Sequence, residues 1–181
     1  ENLNPSLKET CFWGAEELSP PNEKDEINGS LAYGFVFDVC GLEIDPITSK
    51  VKIDKYVTGH DAGKILNPLL ANGQIYGAYA HAVGAALLEE FKYTNNGSFL
   101  SGSFQDYHMP TTCEINEPEI VHIETPSPFT PLGAKGLGEG NCMSTPVAIA
   151  NAFADATKIK NIKLPLTNSS VHEHLNLKKV E

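Results

Sequence analysis

The sequence predicts an α+β fold: antiparallel strands packed against a long helix rich in glycine and alanine, with a second helix after a glycine-rich loop. Three observations predict it. Apolar residues alternate with polar or small ones from Leu31 to Asp45, the period of a half-buried strand. Residues 68–93 place small residues at intervals of three and four, as a packed helix does. The loop PLGAKGLGEGNC, residues 131–142, precedes a second helical pattern.

The start of the chain differs from the rest. Residues 1–30 carry charge, a Pro-Pro pair and few periodic apolar positions. We expect them to form an irregular arm that contacts a partner. No linker or internal repeat divides residues 31–181, so we expect these to form one unit.

The first two strands are predicted to form a hairpin. Tyr33, Phe35, Phe37 and Val39 are the alternating apolar residues of the first strand. Asp45-Pro46 supplies the turn, and KVKIDKYV, residues 50–57, alternates well enough to form the second strand.

The long helix is predicted to begin at Asn67, a good N-cap, with Pro68 in the first turn, where its missing N–H costs nothing. Interior glycines each cost a helix about 1 kcal/mol relative to alanine, so we expect this helix to be buried and closely packed. The small residues of its stripe are Gly73, Gly77, Ala80 and Gly84.

Shorter elements follow. Asn95-Asn96-Gly97 is typical of a hairpin turn, which predicts short strands near residues 99–104 and 119–125. Ser144 is a plausible N-cap for the second helix, with Pro146 in its first turn. A final short helix is predicted over SSVHEHLNL, residues 169–177.

Composition limits the classes of function. The 181 residues are 41% hydrophobic and 20% charged, as in an ordinary globular domain. A net charge of −10 argues against nucleic acids and anionic membranes as partners, because both would repel this surface. No apolar run approaches the roughly 20 residues of a membrane span. Four cysteines without a close pair predict idle thiols in a reducing cytoplasm: Cys11, Cys40, Cys113 and Cys142.

The glycine-rich loop admits more than one interpretation. It matches neither the dinucleotide fingerprint nor the P-loop, although its backbone could cradle an anion. Glu139 could be a carboxylate stabilised by a helix start, or a general base reached through flexible flanking glycines. Spacing alone does not separate these two. The six histidines are interpreted as structural or surface residues, because no nucleophile or metal pair accompanies them.

Several motifs occur together in a fixed order: HDAGKILNPLLANGQIYGAYAHAVGAALLEE, GSFQDYHMP, ETPSPFTPLGAKGLGEG, PVAIANAFADA and LPLT. This succession resembles the C-terminal part of the molybdenum-binding subunit of the xanthine oxidase, or molybdenum hydroxylase, family. It is most similar to the bacterial carbon monoxide, nicotinate and xanthine dehydrogenase branch. The resemblance covers about residues 31–170, and it implies that residues 31–181 are part of a molybdopterin-binding domain.

The resemblance assigns roles to individual residues. It implies that Glu139 is the general base beside a molybdenum held by molybdopterin, in some relatives as the cytosine dinucleotide. The chemistry is oxidative hydroxylation of an electron-poor carbon with water. Gln74 matches a glutamine that hydrogen-bonds the pterin, and no residue of the chain is a metal ligand. The backbone expected against the metal and pterin comprises Ala134, Lys135, Gly136, Leu137 and Gly138.

The resemblance also implies partners. The remaining molybdenum-binding region, [2Fe-2S] clusters and FAD are expected on other chains or domains, so this chain is a split subunit or a fragment and is inactive alone. An N-heteroaromatic substrate, purine-like or nicotinate-like, is preferred.

Two departures from the family pattern bear on substrate choice. His81 stands where relatives commonly carry glutamine. The segment GNCMST, with Cys142 and Thr145, is unusual and is expected to reshape the pocket rim. A noncatalytic scaffolding subunit and an independent nucleotide-binding domain are the alternatives.

Overall fold

The computed structural model describes residues 8–177 and has the predicted α+β architecture. The elements in chain order are β1 Phe35–Ile44, β2 Val51–Asp61, α1 Pro68–Leu87, β3 Glu119–Ile123, a 3₁₀ turn Pro131–Gly133, α2 Gly140–Thr157 and α3 Asn168–Leu177. None of the described helices combines the length and apolar character needed to cross a bilayer.

The sheet has the strand order β1-β2-β3. β1 and β2 form the predicted antiparallel hairpin, in which Ile44 pairs with Val51 and Phe35 pairs with Asp61. β2 therefore runs four residues beyond the predicted end at Val57. β3 is confirmed near its predicted position but lies parallel to β2, because the chain returns to the sheet through α1 and a long connection.

The start of α1 is confirmed, since the Asn67 side chain accepts from the N–H of Leu70 over 3.2 Å. Its end at Leu87 comes before the predicted Tyr93. The N–H groups of Leu88 and Glu89 both donate to the Gly84 carbonyl, which closes the last turn.

The predicted strand at residues 99–104 is wrong. Only an isolated bridge between Tyr93 and Phe99 forms there. Phe91 instead packs on Phe99 and Tyr107, with ring centroids 5.6 and 5.5 Å apart. Aromatic packing therefore replaces strand pairing in this connection.

The hydrophobic core lies between the inner face of the sheet and the helices. Tyr56 of β2 packs on Tyr79 of α1, with ring centroids 4.6 Å apart. Ile149 and Phe153 of α2 and Val171 of α3 are fully buried in the same cluster.

The predicted small-residue stripe packs closely at one end only. A methyl group on Gly84 would lie 2.9 Å from Pro110 Cδ, whereas one on Gly73 or Gly77 would meet nothing within 4 Å. Within the described chain, tight packing thus explains Gly84 but not the two earlier glycines.

The second helix begins at Gly140, so the prediction of Ser144 as its N-cap is wrong. Pro146 consequently lies inside the helix. The hydroxyl of Ser144 is buried without a hydrogen-bond partner among the described residues. Contacts between Asn141, in the first turn of α2, and the sheet fix the earlier start.

The predicted arm is partly described. Residues 1–7 lie outside the described residues, as do residues 178–181. Residues 8–34 contain one isolated bridge, Ser19 to Asn28, and no helix or longer strand. Phe12 and Trp13 are exposed there, and contact of the arm with a partner stays a prediction.

Candidate functional site

A cleft of about 570 Å³ lies where the glycine-rich loop meets the sheet. Its walls include His60 and Asp61 at the end of β2, His81 of α1, and residues 136–140 of the loop and α2. A larger groove of about 1120 Å³ lies beside α3, is lined by several lysines, and contains none of the predicted site residues.

The first half of the loop is fixed by a buried ion pair. Lys135 Nζ lies 2.9 Å from Asp61 Oδ2, and the two side chains are only 10% and 6% exposed. Thr125 donates its hydroxyl and its backbone N–H to the same carboxylate, and Gly63 donates its N–H. Burial acts to raise the pKa of Asp61, but these donors outweigh burial and hold that pKa well below its ordinary value. The ammonium of Lys135 is thus committed to Asp61, which leaves the Lys135 backbone to approach a ligand.

The glycines of the loop have different structural reasons. At Gly133 φ is +75°, and a methyl group there would lie 2.8 Å from Pro126 Cβ. At Gly140 a methyl group would lie 2.7 Å from Val36 Cγ2. At Gly136 and Gly138 it would meet nothing within 4 Å. The fold therefore accounts for glycine at the two ends of the loop, while the middle glycines leave an open surface along the cleft.

Glu139 is the N-cap residue of α2, but its side chain makes no capping hydrogen bond. The side chain is exposed to the cleft. Within residues 8–177 its carboxylate forms no hydrogen bond or ion pair. Glu139 stands at the start of the helix and also faces the cleft, so both interpretations of this residue are compatible with its position.

Asn141 anchors the start of α2 to the sheet. Its side chain is fully buried; the oxygen accepts from His60 Nε2 over 2.9 Å, and the amide donates to Thr58 Oγ1 over 2.9 Å. The amide also lies 3.3 Å from Asp38 Oδ1. Burial lowers the pKa of His60, which favours a neutral imidazole with its proton on Nε2. His60 is thus structural, as the sequence predicts.

Thr145 extends this buried network by one turn of α2. Its hydroxyl accepts from Tyr56 over 2.8 Å and lies 3.3 Å from Asp38 Oδ2. Burial raises the pKa of the Tyr56 phenol far above its ordinary value. The expectation that Thr145 shapes the pocket rim is wrong, because this side chain is fully buried beneath the helix.

Two residues outside the predicted site meet Glu139 in the cleft. One ligand atom each of His81, Cys142 and Glu139 lies within 4.8 Å of the other two. Cys142 Sγ is 3.6 Å from His81 Nδ1 and 3.7 Å from the carbonyl of Ala78. Burial and then the charge of Glu139 raise the pKa of the Cys142 thiol. Cys142 does line the rim, and His81, exposed as a surface residue, also lines the cleft.

The profile of the family described as molybdopterin cofactor-binding domain matches residues 2–116. The chain belongs to the molybdopterin cofactor-binding domain family. The matched residues include most of the predicted arm, the hairpin and α1, and they end before the glycine-rich loop.

Individual relatives of this molybdopterin cofactor-binding domain extend the match. The nicotine 6-hydroxylase large subunit of Paenarthrobacter nicotinovorans is 43% identical over 116 residues, 64% of this chain and 14% of the relative. A putative xanthine dehydrogenase molybdenum-binding subunit of Escherichia coli is 35% identical over 162 residues, 89% of this chain and 21% of the relative. The structure of reconstituted CO dehydrogenase from Oligotropha carboxidovorans matches with a TM-score of 0.79 at 28% identity, covering 89% of this chain and 21% of that one.

These matches confirm the resemblance to molybdenum-binding subunits, and the chain spans between 14% and 21% of the length of the relatives named. Within the described chain, the fold brings Gly136, Leu137, Gly138 and Glu139 together in the cleft. Ala134 and Lys135 lie beside it and pair with Ala62 and Gly63, the two residues that follow β2. Gln74 lies outside the cleft, exposed on the α1 face that carries His81 two turns later.

The cluster of His81, Cys142 and Glu139 has only a partial signal in the sequence. Cys142 follows Glu139 by three residues, the spacing that puts two side chains on one helix face. His81 is 61 residues from Cys142, so only the packing of α1 on α2 brings them together.

Proposed function

We propose that this chain is the part of a molybdenum hydroxylase that supplies the catalytic base, Glu139, and one wall of the molybdopterin site. The complete enzyme is an oxidoreductase that uses water to hydroxylate an electron-poor carbon. The observation that carries the proposal is the free carboxylate of Glu139, which faces an open cleft beside Gly136 and Gly138, two glycines that the fold does not itself require.

The cleft fits a bulky cofactor. The open space beside Gly136 and Gly138 allows a flat group to lie directly against the backbone of the loop. The N–H groups at the start of α2 favour an anionic group nearby. When bound, the molybdenum-pterin group would take up the two electrons that leave the substrate carbon. The residues proposed to hold it are Ala134, Lys135, Gly136, Leu137 and Gly138. Gln74, which lies outside the cleft, is proposed to hydrogen-bond a more distant part of the pterin.

The structure supports Glu139 as a positioned base. The first two turns of α2 are held through Asn141 and Thr145, whose side chains are fully buried against the sheet. Glu139 therefore projects from a rigid helix end, while its carboxylate stays free to accept a proton at Oε from the attacking water. A general base needs this combination of fixed backbone and unoccupied acceptor.

We propose an N-heteroaromatic substrate. Two relatives are named for nicotine and xanthine, although the matching structure is named for carbon monoxide. The cleft also presents Phe35, Leu137 and Met143, apolar side chains against which a planar ring can pack.

Partners are proposed from two exposed apolar surfaces. On the sheet face turned away from the core, Phe37 and Val39 of β1 are 50% and 59% exposed, and Ile123 of β3 is 45% exposed. The arm adds Phe12 and Trp13. Such surfaces mark interaction sites. We assign them to the remaining molybdenum-binding polypeptide, with [2Fe-2S] and FAD units completing the electron path.

Glu139→Gln in the purified complete complex tests the assignment. The amide keeps the shape but accepts no proton, so kcat is expected to fall by about 10²–10⁴-fold. Molybdenum and pterin per complex, measured by elemental analysis and fluorescence, should not change. Glu173→Gln is the matched control, because Glu173 is exposed on α3 and distant in sequence from the cleft.

An unchanged kcat in Glu139→Gln would remove this residue from the mechanism. A native complex that contains no molybdenum would favour the scaffolding alternative. Mass spectrometry of the same preparation, with iron and flavin content, tests the proposed partners.

A further inference from the structure

We propose that His81, Cys142 and Glu139 form a zinc site at the mouth of the cleft, and that zinc bound there withholds the Glu139 carboxylate from catalysis. The site itself is inferred from geometry alone; the inhibitory effect rests on the proposed role of Glu139 as the base.

The spacing of the ligand atoms suits a tetrahedral ion. Zinc binds thiolate sulfur at about 2.3 Å and imidazole nitrogen at about 2.0 Å, so a tetrahedral angle separates the two ligands by about 3.5 Å. His81 Nδ1 and Cys142 Sγ are 3.6 Å apart. These two groups therefore already stand at the distance that one zinc ion requires.

The third ligand can complete the set by a small movement. A carboxylate oxygen of Glu139 lies within 4.8 Å of both other ligand atoms. The Glu139 side chain is exposed and carries no hydrogen bond or ion pair within the described chain, so nothing opposes rotation toward the ion. One thiolate and one carboxylate would together neutralise the charge of Zn²⁺.

The supports of the three ligands are rigid. Glu139 and Cys142 flank the first turn of α2, which Asn141 holds against the sheet. His81 lies in the middle of α1, away from its ends. The contact of Cys142 Sγ with the Ala78 carbonyl directs the thiol toward that helix. Three ligands from two helices, with the fourth position open to the cleft, are the arrangement of an accessible zinc site.

The ligand types select among metals. Thiolate and imidazole together favour zinc over magnesium or calcium, which prefer oxygen ligands. The probe for the test is therefore Zn²⁺, with Mg²⁺ as the comparison ion.

The test is equilibrium dialysis of the purified native complex against Zn²⁺, followed by X-ray absorption at the zinc edge. Wild type is expected to bind one more zinc per copy of this chain than Cys142→Ser, with a sulfur ligand at about 2.3 Å. His81→Gln should weaken zinc binding by at least tenfold. Loss of a residue that only supports a ligand already costs about tenfold or more in metal affinity, and loss of a ligand should cost no less. Cys113→Ser, at an exposed cysteine outside the cleft, is the matched control and should bind zinc as wild type does.

Equal zinc binding by wild type and Cys142→Ser, or bound zinc without a sulfur ligand, would overturn the site. Turnover provides a separate result: zinc should inhibit wild type reversibly, with recovery on EDTA, and Mg²⁺ should not inhibit. If zinc binds through sulfur while Glu139→Gln retains full turnover, the base assignment fails and the site stands. If Glu139→Gln abolishes turnover and no zinc binds through sulfur, the site fails alone.

Discussion

The two halves of the glycine-rich loop are held in opposite ways. Residues 133–135 are held by their own chain: the Gly133 carbonyl accepts from two backbone N–H groups, and the Lys135 side chain is buried against Asp61. Residues 136–139 border the cleft, and their glycines touch nothing within 4 Å on the side where a Cβ would stand. One run of glycines thus serves two purposes, a tight turn in the first half and open space in the second.

The largest expected effect comes from breaking the closed half. Lys135→Met removes the cation from a buried pair and leaves Asp61 uncompensated, which should lower the free energy of unfolding by about 3–5 kcal/mol. Urea unfolding of the full chain measures this. The matched control is Lys55→Met, because the Lys55–Glu119 pair is mostly exposed and is expected to contribute about 0–1 kcal/mol.

Adding Asp61→Asn to Lys135→Met tests the cause. The double variant no longer buries an unpaired charge, so it should recover part of the lost stability. A Lys135→Met variant as stable as Lys55→Met would show that the ion pair does not hold the first half of the loop.

An intermediate effect is expected at Asn141, two residues beyond the open half. Asn141→Ala leaves the N–H of His60 and one oxygen of Asp38 without their partner, at an expected cost of about 1–3 kcal/mol in the free energy of unfolding. Asn151→Ala, at an exposed position of the same helix, should change it by less than about 0.5 kcal/mol. Equal effects at the two positions would contradict the anchoring role of Asn141.

The elements that are specified by residues adjacent in sequence could be predicted from the sequence alone. Asn67 and Pro68 specify the start of α1 locally, and the alternation of β1 and β2 fixes their hairpin. The start of α2 could not be predicted, because the local signal at Ser144 loses to the burial of Asn141 against two strands. The strand predicted near Phe99 is replaced by an aromatic cluster of Phe91, Phe99 and Tyr107, and neither period-two alternation nor a turn signal reveals such packing.

The candidate site divides in the same manner. Glu139 and its flanking glycines are contiguous, so one motif places them together. The contact of His81 with Cys142 and the buried pair of Lys135 with Asp61 both join residues far apart in sequence. The contact of His81 with Cys142 depends on the packing of α1 against α2. The pair of Lys135 with Asp61 depends on the position of the loop against β2.

The smallest stability effect, and the sharpest test of the contrast, comes from one added methyl group in each half. Gly133→Ala forces alanine to φ of +75° against Pro126, which should lower the free energy of unfolding by about 1–2 kcal/mol. Gly138→Ala should leave it within about 0.5 kcal/mol of wild type, because the methyl group meets nothing in the described chain. In the purified complex Gly138→Ala is instead expected to lower the molybdopterin content, since the methyl group enters the space proposed for the cofactor. Full cofactor content in Gly138→Ala would mean that the open half of the loop does not contact it.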